Sequence, residues 1–304
     1  MICRGSEADN LRQHRHLLTH TAGTAYDAAD PNLIKYQMQQ GRRDENSPFA
    51  ARGTDVVSRF SYPLIFQPGE QWSYGCAIDW AGLLVERLAN STLEVFMKAN
   101  IWDPLGLDSM TFFPEQKGLQ ARVPEPSVRG PDGHLYPFRE PFINTGMTGC
   151  AGGQGAYSSM GDYVKFLRSL LVNDGKILRP ESVDVLFESQ LTAGQAASLK
   201  EFFCSPKGAF FIGEFDLETY EHGWSFVGIL FLQGYEDGRR GVQSVSWGGA
   251  ANSFWLMDRE AGLVLSFGTQ VIPPGDGKVR GVITLVEREV YKMAGLVGSK
   301  EARI

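Results

Sequence analysis

Cysteine is scarce in this chain of 304 residues: Cys3, Cys76, Cys150 and Cys204 are the four, widely scattered and with no C-x-x-C pair. Neither a zinc site nor a disulfide framework is expected from that spacing, and a reducing cytoplasm is the expected compartment. Basic charge is also short, with 29 Lys+Arg against 35 Asp+Glu for a net charge of −6. Binding nucleic acid or an anionic membrane needs a basic face that releases counterions, so neither partner is expected. No apolar run approaches the ~20 residues of a membrane-spanning helix. Residues 1–9 lack the apolar core of a secretory signal. His14, His16 and His20 cluster in sequence without an acidic or cysteine partner at ligand spacing. They read as surface and helix-packing residues, and no metal or other cofactor is expected.

Glycine is abundant, at 35 of 304 residues against an average near ~7%, which suits tight turns and a loop-lined active site. The first part of the chain reads as helical. A short helix over 11–20 stops at Gly23, and residues 27–60 read as polar and irregular, with a charge run at 42–46. Asp79 starts a helix through Trp80, Leu83, Leu84 and Leu88, and Ser91-Thr92-Leu93-Glu94 reads as a capping box for a helix to about Ile101. Residues 113–150, rich in Pro and Gly, read as a covering loop. Ser159-Met160-Gly161-Asp162 starts a helix that Gly175 ends, and Pro180 opens another through Val183 and Phe187.

From Trp224 the period changes, and 224–232, 243–247, 253–258 and 263–269 read as strands, the last two joined by a hairpin at 258–262. Val279, Val282, Ile283, Val286 and Val290 form a closing amphipathic helix for that sheet. The expected class is α+β: an antiparallel sheet with flanking helices plus a mainly helical lobe. One domain over 1–304 is expected, with the helical lobe at about 11–190 and the sheet with its last helix at 222–304.

Several catalytic signatures are absent. There is no G-x-x-x-x-G-K-[ST] loop, no H-E-x-x-H helix and no G-x-S-x-G elbow; the nearest string is Tyr157-Ser158-Ser159-Met160-Gly161. Gly152-Gly153-Gln154-Gly155 precedes no nucleotide-binding unit. Other strings stand in a telling order: Leu17-Leu18-Thr19-His20-Thr21-Ala22-Gly23, Pro68-Gly69-Glu70-Gln71-Trp72-Ser73-Tyr74, Pro104-Leu105-Gly106-Leu107 and Trp247-Gly248-Gly249. This order resembles the serine β-lactamase and penicillin-binding-protein-like family of esterases and acyltransferases. Ile78-Asp79-Trp80-Ala81-Gly82, the stretch from Trp247 to Asn252, and 270–276 are similar to its fungal lovastatin-type acyltransferase branch.

The resemblance implies that Tyr74 is the catalytic tyrosine, helping to remove the proton of a serine nucleophile beside an ammonium that lowers its phenol pKa. An aromatic buried at an element's edge is the structural alternative. Trp247, Gly248, Gly249 and Ala250 would line the substrate site, with the Ala250 N–H as oxyanion donor, worth ~3 kcal/mol in the transition state. A tight bulge with a core tryptophan is the alternative there.

Two departures stand out. Tyr-x-Asn is here Tyr74-Gly75-Cys76, which argues against β-lactamase activity and raises Cys76 as a thiol nucleophile, with a buried structural role as the simpler reading. No serine in the chain has lysine three residues on, so the Ser-x-x-Lys nucleophile is missing and the domain reads as N-terminally incomplete. The implied activity is transfer of an acyl group from a thioester or ester donor, which a carrier protein could present, to a hydroxyl of a fungal secondary metabolite. An ester hydrolase and an inactive remnant or binding protein are the alternatives.

Overall fold

The computed structural model describes residues 14–27, 30–41, 53–140, 145–205 and 219–296, and the charge run at 42–46 lies outside them. The chain divides into two compact units interleaved in sequence. The first holds Met1–Val123, Arg139–Ser159 and Leu191–Leu199; the second holds Pro124–Phe138, Met160–Gln190 and Lys200–Ile304.

The first unit is helical. Helix α1 covers 14–18, followed by α2 (Pro31–Gln39), α3 (Val56–Phe60), α4 (Ala77–Ala89), α5 (Leu93–Met97) and α6 (Asp103–Leu105). The stop comes earlier than Gly23: α1 ends before His20, which takes a left-handed φ of 54°, while Gly23, at a φ of +80°, is required where a β-carbon would lie 2.1 Å from the Phe66 carbonyl oxygen. Helices α2 and α3 occupy the stretch read as irregular. Both are set by local caps: Asp30 accepts from the Asn32 and Leu33 amides ahead of a first-turn proline, and Asp55 and Ser58 cap each other.

The capping box expected at Ser91 is not formed. Thr92 caps α5 by accepting from the Val95 amide. Glu94 instead accepts from the Thr111 hydroxyl at 2.9 Å and the Phe112 amide at 2.7 Å, a tertiary use that its spacing could not reveal. Val56, Phe60 and Cys76 form a small core with Tyr26, Trp80, Leu83 and Met147.

The second unit is built on an antiparallel five-stranded meander, β3 (His222–Trp224), β4 (Ile229–Phe231), β5 (Val245–Gly248), β6 (Phe254–Asp258) and β7 (Leu263–Phe267). The single strand expected over 224–232 is two strands, folded back where the Ser225 amide donates to the Gly228 carbonyl at 2.9 Å. Both strands are buried throughout, so no polar alternation marked the turn between them.

Alternate residues of β6 and β7 face opposite layers, as a period of two requires. Phe254, Leu256, Leu263 and Leu265 pack against Val279, Ile283 and Tyr291 of α10 (Gly277–Met293). On the other face, Leu230, Val245 and Met257 pack against Leu167 and Leu170 of α7 (Met160–Val172), Val183 of α8 (Pro180–Val185) and Phe187. That contact places α7 and α8 in the second unit although both fall in the stretch read as a helical lobe. Helix α7 ends before Gly175, with Asn173 already at a φ of 53°.

A second, three-stranded sheet lies inside and beyond the expected covering loop. Strands β1 (Ser127–Arg129) and β2 (Leu135–Pro137) form a hairpin, and β1 runs parallel to β8 (Val271–Ile272). Helix α9 (Ala193–Cys204) was not expected from the sequence.

Candidate active-site elements

Tyr74 stands in the extended segment just before α4, half-buried, and that segment is tied to the end of α1 where the Ser73 amide donates to the His20 carbonyl at 3.0 Å. The Tyr74 ring lies 4.8 Å from the His20 ring and 5.7 Å, edge-on, from the Tyr26 ring. Behind them Asp79, in the first turn of α4, is fully buried. Its Oδ1 accepts from the Gly153 amide at 2.9 Å and its Oδ2 from the Tyr26 hydroxyl at 3.4 Å. A β-carbon on Gly153 would lie 2.8 Å from Asp79 Oδ2, so the glycine is what lets the backbone close on the carboxyl.

Burial governs the protonation of this group. It raises the Asp79 pKa to about 7, against the opposing pull of the Gly153 and Tyr26 hydrogen bonds. It lowers the His20 pKa to about 3, leaving a neutral imidazole, and holds the Tyr26 phenol well above its ordinary value, with the Asp79 charge adding to the effect. Cys76 donates its thiol to the Ala25 carbonyl at 3.6 Å, and burial pushes its pKa up to about 12. A thiol held protonated in this way is a structural group and a poor nucleophile.

The other candidates lie in the second unit, at the end of β5. Trp247 pairs across the ladder with Trp255, and Gly248 with Phe254. The Trp247 ring packs edge-on against Trp224 at 4.7 Å and Phe203 at 5.9 Å. The chain then turns tightly: the Gly249 amide donates to the Ser253 carbonyl at 3.0 Å and the Asn252 amide to the Gly249 carbonyl at 2.9 Å. Gly249 is exposed and Ala250 half-buried. Among the described residues no acceptor pairs with the Ala250 N–H.

The structure thus gathers Trp247, Gly248, Gly249 and Ala250 at one strand end and surrounds Tyr74 with His20, Tyr26 and Asp79. These last three were not singled out as site residues. An aspartate in a first helical turn ordinarily serves the helix dipole, so nothing local in the sequence marked Asp79 as buried. Among the described residues no three His, Cys, Asp or Glu side chains converge to hold a metal ion, and no helix is long and apolar enough to cross a membrane.

The chain is 38% identical over 264 residues to a lovastatin esterase of Penicillium rubens, covering 86% of this chain and 64% of that protein. It is 33% identical over 281 residues to a monacolin J acid methylbutanoyltransferase of Aspergillus terreus, covering 91% of this chain and 66% of that protein. It therefore spans just under two thirds of the length of each of these two relatives. The solved structure of a simvastatin synthase mutant from Aspergillus terreus superposes with a TM-score of 0.83 at 32% identity, covering 93% of this chain and 66% of that one. With the α+β arrangement of its strands and helices, and with residues 12–283 matched by the beta-lactamase family, the chain belongs to that family.

Proposed function

We propose that this chain serves acyl transfer, from a thioester or ester donor to a hydroxyl of a small secondary metabolite. The observation that carries this reading is the likeness, over 91% of the chain, to a methylbutanoyltransferase. In this reading a serine Oγ attacks the donor carbonyl and the thiol or alcohol leaves with a proton. The acceptor hydroxyl then attacks the acyl-serine, forming the new ester and restoring the serine. Tyr74 moves the proton at the serine oxygen, and the Ala250 N–H stabilises the oxyanion of each tetrahedral intermediate. The two glycines let the acyl group approach the backbone closely at the strand end, beside Trp247. The serine belongs to a Ser-x-x-Lys helix that these 304 residues do not contain. The thioester donor, free or held on a carrier protein, is part of the same proposal.

Ester hydrolysis is the second reading, favoured by the 38% identity to a lovastatin esterase. The two differ only in whether water or the acceptor hydroxyl reaches the acyl-enzyme. Product analysis with a 2-methylbutanoyl thioester and a hydroxylated polyketide acceptor separates them. It should be run on the 304-residue chain and on the chain joined to the coding sequence upstream of Met1 in its transcript. Ester in excess of free acid from the longer form supports transfer, and the reverse ratio supports hydrolysis. If neither product forms from either protein, both readings fail and a binding role remains.

A further inference from the structure

Two strings that resemble the fungal acyltransferases, 247–252 and 270–276, lie far apart in sequence, and one side chain joins them. Asn252 is 6% exposed and sits at a φ of 55°, a left-handed conformation that asparagine tolerates. Its Nδ2 donates to the Val271 carbonyl at 2.7 Å and to the Pro273 carbonyl at 2.8 Å. Its Oδ1 accepts from the Gly275 amide at 2.8 Å and the Asp276 amide at 3.1 Å. A primary amide has two N–H donors and two acceptor lone pairs, and all four are used here.

The far side of this clamp is itself anchored. Val271 pairs with Ser127 in the small sheet. The Asp276 carboxylate caps α10 by accepting from the Val279 amide at 2.9 Å, and it receives two hydrogen bonds from Arg129, at 2.7 and 3.0 Å. The near side is the turn after β5, closed by the Gly249–Ser253 and Asn252–Gly249 backbone bonds. That turn carries the Ala250 N–H. The two backbone bonds close the five-residue turn 249–253 only on itself. The four hydrogen bonds of the buried amide tie it to a helix start and a sheet edge.

We propose that Asn252 is a positioning residue, whose amide ties the turn after β5 to the 271–276 segment and fixes the direction of the Ala250 N–H. The inference rests on the reading of Ala250 as oxyanion donor and adds the residue that aims it. An oxyanion donor acts through preorganisation, so its support must be rigid before the charge develops.

The test uses the 304-residue chain, ¹⁵N-labelled, with 2-methylbutanoate as a carboxylate probe followed at the Ala250 amide by NMR. Two variants are compared. Asn252→Gly keeps the left-handed backbone and removes the clamp. Asn252→Asp keeps the shape but turns a carboxylate oxygen toward the Val271 and Pro273 carbonyls. In the unmutated chain the probe should shift the Ala250 N–H saturably. In both variants its affinity should fall by about tenfold, the loss of one hydrogen bond to a charged partner. The Leu256 and Leu265 amides of the β6–β7 ladder should stay in place.

Unchanged affinity in both variants overturns the role of Asn252 while leaving Ala250 as donor. Movement of the ladder amides in both variants makes Asn252 an ordinary structural residue and also overturns it. An Ala250 amide that ignores the probe in the unmutated chain removes the donor reading itself, and this inference with it.

Discussion

A carboxyl without water around it keeps its proton, and Asp79 is such a group beside the candidate tyrosine. Its pKa rises from 3.8 to about 7 on folding. The native state therefore holds more protons than the unfolded chain across that window, and the Asp79 contribution to stability is full below pH 3.8 and lost as pH rises through about 7. His20 works in the opposite sense. Its pKa falls from 6.5 to about 3 on folding, so its contribution is present above pH 6.5 and lost on acidification. Between about pH 4 and 6.5 the two slopes oppose each other.

Asp79→Asn removes one of them and leaves the other. The melting temperature of the variant should drop more steeply than that of the unmutated chain when pH is lowered from 6.5 to 4. Other carboxylates, such as Asp276 beside Arg129, are common to both proteins and cancel in the difference. Parallel melting profiles would mean that Asp79 does not hold its proton. Tyr74 was legible as a candidate because a string of neighbours carries it. Asp79 was not, because a first-turn aspartate looks the same whether it faces water or a Gly153 backbone 74 residues away.

Elements whose signal is local were readable and those completed by distant partners were not. Pro180 at a helix start and the 258–262 hairpin stand as expected, and so does the apolar stripe of α10 at Val279, Ile283, Val286 and Val290, whereas Val282 faces solvent. The break between β3 and β4 and the pairing of β1 with β8 depend on tertiary burial. So does the attachment of α10 to the sheet. Arg240 is 1% exposed and Glu287 fully buried. Arg240 donates from Nε to Glu287 Oε1 at 2.6 Å and from Nη2 to Oε2 at 2.7 Å. The Tyr291 hydroxyl donates to Asp258 Oδ2 at 2.6 Å while accepting from the Arg240 amide at 3.0 Å.

Glu287 also faces Arg239, at 3.3 Å, which keeps Asp237 as a second partner. Glu287→Leu leaves the buried Arg240 guanidinium without its carboxylate and should cost about 3–5 kcal/mol in urea unfolding, whereas Arg240→Met with Glu287→Leu should recover most of that loss. A single variant costing less than ~1 kcal/mol would place water beside the pair, where an ion pair contributes little. Neither residue drew attention in the sequence, because charges 47 positions apart carry no sign of meeting.

At the scale of the whole molecule, the chain carries the candidate tyrosine at Tyr74 and the candidate turn after β5 but no Ser-x-x-Lys string. Removing the nucleophile from a cooperating catalytic group typically lowers kcat by ~10⁶. The 304-residue chain alone should therefore show neither a phosphonyl adduct with a fluorophosphonate nor an acyl-enzyme with a p-nitrophenyl ester, read by intact-mass spectrometry. Stoichiometric labelling that disappears in Tyr74→Phe would overturn that expectation. The interleaving of the two units also sets an order in time. Ser127 of β1 finds its parallel partner at Val271 of β8, 271 − 127 = 144 residues later. At ribosomal rates of ~5–20 residues per second the wait is roughly 7–30 s. Throughout that interval the β1–β2 hairpin emerges with one edge bare, so the small sheet is a clasp that stays open until β8 has been translated.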